Sequence, residues 1–423
     1  MDQKVTSLFV MLTGKTSCGL QYGVKRSGSA VGYCSLSIKC GTRDEEGFHS
    51  GIAHFAEHTI FKGTTHKSAS QISSCLDKLG GELNAYTTKE EIVLHATVLK
   101  EDLPKAISLL LELATCPTFP EKEIEKEKGV VIEEINSYKD SPADDVFDNF
   151  ESELFKGHPL GSLILGTVAS VKKITSDELK SFVKKNFTPD RMALSIVAGL
   201  DEKTLEKKGL ELVGKFFCDA PDAITAAGRC TEAQKIFTPE VFDRTVDKRH
   251  HEVNAVIGAA APSLYEERER VATVLLANIL AGPGSNSILN RILRERNGWV
   301  YGVESTYTQY RDSGIFAISL GCDKSNLQAC LDVIRREIIK LQEAPLSESK
   351  LKAAKKQLIG QLAISSDNGE AQCLAMGKSL LAFGRVSSDE EDRKKVERVT
   401  AEEIREMAQR IFEEGKVSQL IYL

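Results

Sequence analysis

Apolar residues in the first half of the chain recur with a period of two in some segments and of three to four in others. The first period is typical of strands and the second of helices. Strand patterns occur at residues 30–41 and twice within 82–99, and helix patterns occur at 51–61, 68–80, 101–116 and 120–141. Ser68 or Ser70 is a suitable N-cap for the second helix, and Gly80 is a suitable end.

A similar succession of patterns begins again after a stretch of small and polar residues. Residues 218–236 show no hydrophobic period, which predicts a linker. Beyond it, strands are predicted at 251–261 and twice within 300–322, and helices at 266–281, 325–344 and 345–364. Pro120 and Pro345 each stand at the start of a Lys/Glu-rich helix in equivalent settings. We infer a diverged tandem duplication of one unit.

The two halves together predict an α+β protein of two similar domains. Strands mixed with pairs of helices favour an α/β sandwich, a mostly antiparallel sheet with helices packed on one face. The domains are predicted at residues 1–217 and 237–423, joined by the linker 218–236. The length of 423 residues also exceeds what one typical core accommodates.

Composition and charge exclude several classes of function. A net charge of −6 without any basic block argues against a nucleic-acid partner or an anionic membrane surface. No apolar run approaches the roughly 20 residues of a membrane helix, and the amino-terminal segment lacks a targeting pattern. The 10 cysteines are scattered without a CxxC pair, which indicates reduced thiols. A cytoplasmic protein is therefore expected.

The segment GIAHFAEHTIFKGT (51–64) carries candidate metal ligands. Positions three and four apart are neighbours on a helix, so His54, Glu57 and His58 share one face. Two imidazoles at this spacing can bind one zinc ion, and the carboxylate between them could take a proton from water. The same residues also fit an ordinary solvated face. A catalytic zinc ion needs a third protein ligand, which must come from another segment of the chain.

The acidic helix after Pro120 offers candidates for that third ligand. At about 100° per residue, Glu133 falls opposite the apolar stripe of this helix and faces water. Glu134 lies on the flank of the stripe, and Glu127 lies nearly in line with it two turns earlier. A carboxylate beside an apolar stripe needs a partner, because burying it unpaired is costly. A zinc ion is one such partner.

These segments resemble the pitrilysin, insulysin and mitochondrial processing peptidase family. HFAEH is the HxxEH signature of the inverzincins. LDKLGGELNAYTTKE and EKEKGVVIEEI resemble later segments of the family, and Glu134 follows His58 at the family's distance of 76 residues. The likeness extends over nearly the whole chain, at the two-domain length of the shorter, bacterial-type members.

The resemblance implies a zinc metalloendopeptidase that hydrolyses peptides or unfolded segments in a chamber between two domains. It implies one Zn²⁺ per chain, held by His54, His58 and Glu134, with Glu57 as the general base. Glu127 would orient the metal-binding residues without binding the ion itself. A non-catalytic scaffold or assembly subunit of the same fold is the main alternative. A metal hydrolase that shares only the helix motif would explain neither Glu134 nor the second half.

The resemblance also implies how a substrate is held. Asn84, Ala85 and Tyr86 match an edge strand onto which a peptide adds as an extra strand, although a plain hairpin strand fits them equally well. Arg294 and Tyr301 match an element of the second domain, with Tyr301 hydrogen-bonding the oxyanion and Arg294 holding substrate carbonyls. A surface charge and a packing residue are the alternatives. Because the chain keeps both elements, no unlike partner is expected, and relatives of this length commonly form homodimers.

Overall fold

The computed structural model of the chain describes residues 11–217 and 239–423, which form two compact units. The described part of the first unit comprises 11–135, 162–217 and Ile364–Ser387. The second comprises Asn136–Gly161, 239–363 and Ser388–Leu423. Each unit contains a sheet and several helices, which confirms the predicted α+β class. The predicted linker 218–236 lies outside the described residues.

The described strands are β1 (Met11–Lys15), β2 (Gln21–Arg26), β3 (Val31–Ile38), β4 (Glu82–Thr87), β5 (Ile92–Leu99), β6 (Met192–Ala198), β7 (Asp243–Val246), β8 (Val253–Ala261), β9 (Val300–Gln309), β10 (Gly314–Cys322) and β11 (Ser418–Tyr422). The described α-helices are α1 (Ile52–Ile60), α2 (Ala69–Asp77), α3 (Leu103–Thr115), α4 (Glu121–Lys139), α5 (Pro142–Leu154), α6 (Val168–Val171), α7 (Ser176–Asn186), α8 (Glu202–Phe217), α9 (Glu267–Ala281), α10 (Leu327–Glu343), α11 (Glu348–Ser366), α12 (Gly369–Phe383), α13 (Asp389–Arg398) and α14 (Ala401–Ile411).

The sheet of the first unit has the strand order β1-β2-β6-β3-β5-β4. Neighbouring strands are antiparallel except β2 and β6, which are parallel. β6 is an uninterrupted apolar and small-residue run, and it is buried throughout in the middle of the sheet. β4 is paired on one side only, with Asn84 opposite His95 and Tyr86 opposite Val93. Within residues 11–217 and 239–423, no strand pairs with its other side, which is a free sheet edge.

The sheet of the second unit repeats this topology. Its order is β7-β11-β8-β10-β9, and the one parallel pair in the described sheet is β7 with β11. β7, β11, β8, β10 and β9 therefore correspond to β2, β6, β3, β5 and β4, so that β9 is the counterpart of the edge strand β4. Shared order and shared strand direction support the duplication inferred from the hydrophobic patterns.

Each sheet carries helices on its core face and one further helix on the opposite face. In β3, Cys34, Leu36 and Ile38 belong to the main core with α3, because alternate residues of a strand point to one face. The opposite face of this sheet carries α12, whose apolar residues pack on Ala193 and Val197 of β6. α5 packs in the same manner against β8 and β10 of the second unit.

α5 and α12 are equivalent helices that lie in exchanged units. Each follows a long Lys/Glu-rich helix, α4 or α11, yet α5 belongs to the second unit and α12 to the first. The predicted ranges 1–217 and 237–423 place each of them in the other domain. A helical pattern shows that a segment has an apolar face, but it does not show which sheet that face covers, so the exchange is found only in the structure.

Two further expectations from the sequence concern the state of the cysteines and the presence of membrane-spanning helices. The described cysteines are free thiols. A membrane-spanning helix would have to be long and continuously apolar, and none of the helices within the described ranges meets that requirement.

Candidate metal centre

Helix α1 presents two of the candidate ligands from an almost fully buried position. Its apolar residues are excluded from solvent and belong to the core, namely Ile52, Ala53, Phe55, Ala56 and Ile60. The Glu45 carboxylate accepts hydrogen bonds from the backbone N–H of Gly51, at 3.0 Å, and of Ala53, at 3.0 Å. These bonds satisfy donors that a helix leaves unpaired at its first turn. The helix is therefore a rigid base for its side chains.

Two glycines fix the position where α1 begins. Gly51 has a φ of +88° and Gly166 a φ of +68°, which favour residues without Cβ. A Cβ on Gly51 would lie 2.7 Å from the carbonyl oxygen of Leu165, and one on Gly166 would lie 2.4 Å from that of Ser50. The two chain segments approach so closely that neither position accommodates a side chain. This contact sets the start of the helix one turn before His54.

His54, His58 and Glu134 converge on one point. One potential ligand atom from each lies within 4.8 Å of the others. Glu134 Oε1 is 3.7 Å from His54 Nε2, and Glu134 Oε2 is 3.4 Å from His58 Nε2. The imidazole centroids are 4.6 Å apart, as expected for neighbours four residues apart on a helix. These are the three residues that the sequence predicts as ligands.

The phase of helix α4 explains why Glu134 rather than Glu133 takes part. Ile124, Val131 and Ile135 form the buried side of α4, and Glu133 is exposed on the other side. Glu134 is half-buried on the flank, and Glu127 is buried two turns earlier. Glu127 Oε1 accepts a hydrogen bond from His58 Nδ1 at 3.0 Å. Because Nδ1 of the neutral imidazole carries the proton of that bond, Nε2 of His58 keeps a free lone pair and faces Glu134.

The electrostatics of the centre suit a cation. Burial, followed by the neighbouring His58, lowers the pKa of His54 to about 3, so this imidazole is neutral at pH 7. Burial would also lower the pKa of His58, but the hydrogen bond with Glu127 and the carboxylates of Glu57 and Glu134 outweigh burial and raise it. A raised histidine pKa reports a negative potential, which equally favours a metal ion.

Glu134 provides the direct test of whether these residues fit a metal. Its Oε2 atom is buried, and no hydrogen-bond partner is found for it within the described ranges. A buried carboxylate oxygen without a donor is costly unless a cation balances it. Two imidazole nitrogens and one carboxylate oxygen are also a ligand set used by catalytic zinc, which keeps a further position open. The residues fit a zinc ion.

Glu57 lies beside the three ligands and is held by the edge strand. Its Oε2 accepts a hydrogen bond from the hydroxyl of Thr87 at 2.9 Å. Burial raises the pKa of Glu57, and this effect outweighs the opposing hydrogen bond from Thr87 and the charge of His58. A carboxylate with a raised pKa is a stronger base than one in water. Glu57 is thus a basic carboxylate next to the three potential metal ligands.

The predicted substrate strand lies next to Glu57. Asn84, Ala85 and Tyr86 belong to β4, the edge strand that ends in Thr87. The Tyr86 ring packs edge-on against His95 of the neighbouring strand, with centroids 6.2 Å apart. The free edge of β4 has the backbone donors and acceptors that strand addition requires. Substrate binding by these three residues stays a prediction.

Arg294 and Tyr301 lie in the second unit. Arg294 is exposed on a π-helix (Asn290–Arg296), a form that occurs in short pieces and frequently at functional sites. Tyr301 lies at the start of β9 and is 60% exposed. Its hydroxyl donates a hydrogen bond to Asp323 Oδ1 at 2.7 Å, which raises its pKa and keeps it protonated. Tyr301 is therefore not a buried packing residue.

Thr87 and Lys62 contact the site, although the sequence patterns did not single them out. Thr87 is two residues beyond Ala85 on the same strand, so a period of two would have placed it on the same face. Lys62 lies two residues beyond the end of α1 and forms an ion pair with Glu127, with Nζ and Oε2 2.8 Å apart. Its position one turn after His58 was the available signal.

An HxxEH helix completed by a later glutamate, in a chain of two similar α+β units, is the arrangement of the inverzincin class. Residues 24–168 match the model of the insulinase family, peptidase family M16. Residues 173–358 match the model described as the peptidase M16 inactive domain, and the second half indeed has no HxxEH segment. The chain belongs to peptidase family M16, which confirms the resemblance.

Relatives and solved structures agree with this assignment. An uncharacterized zinc protease of Bacillus subtilis, YmxG, is 30% identical over 384 residues, which cover 91% of each chain. The crystal structure of a protease from Helicobacter pylori superimposes with a TM-score of 0.86 at 19% identity, covering 98% of this chain and 99% of that chain. A peptidase M16 inactive domain from Pseudomonas fluorescens gives 0.85 at 19% identity, covering 98% and 97%. These two structures establish the fold alone.

Proposed function

We propose that this protein is a zinc-dependent endopeptidase that cleaves peptides or unfolded polypeptide segments. The observation that carries the proposal is the convergence of His54, His58 and Glu134 with Glu57 beside them. The names of the relatives, which describe zinc proteases, support the same activity. We further propose one zinc ion per chain, because the described residues offer a single such cluster.

Glu57 would act as the general base. Thr87 occupies its Oε2, so Oε1 is the oxygen left to take a proton from water and pass it to the leaving amine. A zinc ion held by His54, His58 and Glu134 would supply Lewis acidity, which makes water a stronger nucleophile and polarises the peptide carbonyl. Burial of the site strengthens each of these electrostatic effects, because water screens them less.

A peptide would bind by adding to the free edge of β4. Backbone hydrogen bonds with Asn84, Ala85 and Tyr86 would hold the peptide irrespective of its sequence, so unfolded segments of many sequences are suitable substrates. We propose that the Tyr301 hydroxyl, whose one proton is here donated to Asp323, turns to donate that proton's hydrogen bond to the oxyanion, and that Arg294 holds substrate carbonyls. The chain supplies all of these residues itself, so activity would require no unlike subunit. Separately, we propose that the chain forms a homodimer.

Incubation with a mixture of unstructured peptides, followed by mass spectrometry, tests the function. We expect internal cleavage by the zinc-loaded protein, none after removal of zinc with a chelator, and recovery when zinc is restored. A matched incubation with a stably folded protein should show no cleavage, because a folded chain offers no free strand. If the zinc-loaded protein binds the metal but cleaves no peptide, the non-catalytic scaffold becomes the better account.

Thr87 allows a more specific prediction about the base. Thr87→Val removes the hydroxyl that holds Glu57 Oε2, and we expect kcat to fall about tenfold, since positioned acid–base groups contribute 10²- to 10⁴-fold in total. KM should change little, because the side chain of Thr87 contacts Glu57 rather than the strand edge. Steady-state kinetics on one cleaved peptide measures both constants.

Thr87→Ser is the matched control for that prediction. Serine keeps the hydroxyl and loses only a methyl group, so kcat should return to within about threefold of the native value. Equal losses in the serine and valine variants would show that packing of β4, and not the hydrogen bond to Glu57, is what matters.

A further inference from the structure

Lys62 and Glu127 form an ion pair directly behind one zinc ligand. Lys62 Nζ lies 2.8 Å from Glu127 Oε2, and Glu127 Oε1 lies 3.0 Å from His58 Nδ1. The two oxygens of one carboxylate thus join the lysine to the imidazole. The Glu127 side chain is only 9% exposed and that of Lys62 is 29% exposed, so the pair is largely shielded from solvent.

The arrangement fixes the orientation and the tautomer of His58. A carboxylate accepts but does not donate hydrogen bonds, so the proton of the neutral imidazole stays on Nδ1 and the lone pair stays on Nε2. Outer partners of this kind raise the basicity of a metal-binding histidine and hold its ring in place. Glu127 can do this only while its Oε1 stays turned toward His58 Nδ1.

Lys62 holds Glu127 in that orientation through the ion pair with its other oxygen. It is the one cation paired with Glu127 among the residues that the structure describes, apart from His58 itself. Without it, a buried carboxylate would keep one oxygen unpaired, and the side chain would be free to turn away from His58.

We infer that Lys62 is a positioning residue for zinc binding, acting on His58 through the carboxylate of Glu127. The inference rests on the zinc site of the proposed function, but it concerns the affinity of that site and not the cleavage of peptides. Among the described residues, no hydrogen bond or ion pair joins Lys62 to Glu57, to Glu134 or to either imidazole.

The segment between α1 and α2, which contains Lys62, also contains a matched control. Lys67 pairs with the buried Glu112, and its side-chain exposure of 31% is close to that of Lys62. Glu112 also accepts a hydrogen bond from the hydroxyl of Thr64, and no hydrogen bond or ion pair links it to the zinc ligands within the described ranges. Lys67→Met therefore removes an equivalent ion pair, in the same local structure, without disturbing His58.

Zinc affinity, measured by competition with a chromogenic chelator, is the readout. We expect Lys62→Met to raise the zinc Kd about tenfold, the lower end of the 10- to 100-fold cost of losing an outer partner. Lys62→Arg keeps a cation beside Glu127 and should restore the Kd to within about threefold. Lys67→Met should leave the zinc Kd unchanged. Thermal unfolding of the zinc-free proteins reports separately how far each lysine stabilises the fold.

The possible outcomes separate this inference from the proposed function. A native zinc Kd in Lys62→Met, or an equal loss of affinity in Lys67→Met, would overturn the role of Lys62. Failure of the arginine variant to restore the affinity would also overturn it. If the native chain binds zinc with the expected differences but cleaves no peptide, the inference holds and the peptidase proposal fails. If the native chain binds no zinc, both fail.

Discussion

Glu57→Gln is expected to abolish peptide cleavage while leaving zinc binding intact. Glutamine has nearly the same shape as glutamate, and its amide oxygen can still accept the hydrogen bond from Thr87. What it lacks is a carboxylate that can take a proton. Because general base catalysis contributes about 10² to 10⁴ in rate, we expect kcat to fall by about 10³-fold or more.

Retention of zinc is the second part of this prediction. The atoms that lie within 4.8 Å of one another come from His54, His58 and Glu134, and Glu57 is outside that set. Removing the negative charge of Glu57 weakens the attraction for the ion only through space. We therefore expect the zinc Kd of the variant to remain within about tenfold of the native value.

Cleavage of one fluorogenic peptide and zinc content by atomic absorption measure the two parts together. An inactive variant with a full complement of zinc is the expected result. Loss of zinc along with activity would instead make Glu57 a ligand, and full activity with zinc present would assign the base to another residue. Either result would contradict the role proposed for Glu57.

Local signals in the sequence predicted the parts of the fold that local physics determines. Ser68 and Ser70 both fitted the start of α2, and the structure selects Ser68, whose hydroxyl accepts from the backbone N–H of Gln71. The choice of Glu134 over Glu133 followed from helical phase alone, because 100° per residue separates a flank from an exposed face. Each inference involved residues within a few turns of one another.

Pairings between distant segments could not be predicted in the same way. β6 is a short apolar run, and such a run fits a buried strand or a helix equally well. Its place between β2 and β3, parallel to one and antiparallel to the other, depends on segments more than 100 residues away. The exchange of α5 and α12 has the same origin, since an apolar helix face does not identify the sheet that it covers.

The site shows the same division between local and distant information. His54, Glu57 and His58 lie in one helix, so their spacing alone is enough to place them on one face. Thr87 and Lys62 reach the site from a strand end and from a turn, and what they bind depends on where those elements pack. The role of Tyr301 as an oxyanion donor stays a prediction, and its partner Asp323 could be found only in the structure.

Glu134→Gln is expected to raise the zinc Kd by more than about 100-fold. Losing an outer partner of a metal ligand already costs about 10- to 100-fold, and Glu134 is the only carboxylate in the cluster of potential ligands that the described residues form. The neutral amide that replaces it is a weaker ligand and brings no charge to balance the ion. Glu133→Gln is the matched control, one residue away on the same helix but exposed, and it should bind zinc with native affinity.

Most substitutions at buried sites lower the melting temperature, but we expect Glu134→Gln to leave that of the zinc-free protein unchanged or to raise it. In the zinc-free protein, Glu134 Oε2 is buried without a hydrogen-bond partner in the described ranges, so replacing this carboxylate removes the cost of burying a charged oxygen without a donor. We expect zinc-free Glu134→Gln to unfold at the native temperature or above it. Added zinc stabilises a protein by RT ln(1 + [Zn]/Kd), so it should raise the melting temperature of the native chain and of Glu133→Gln but hardly that of Glu134→Gln. A zinc-dependent rise in Glu134→Gln equal to the native one would show that the third ligand is another residue, and it would remove the main support for a zinc site formed by His54, His58 and Glu134.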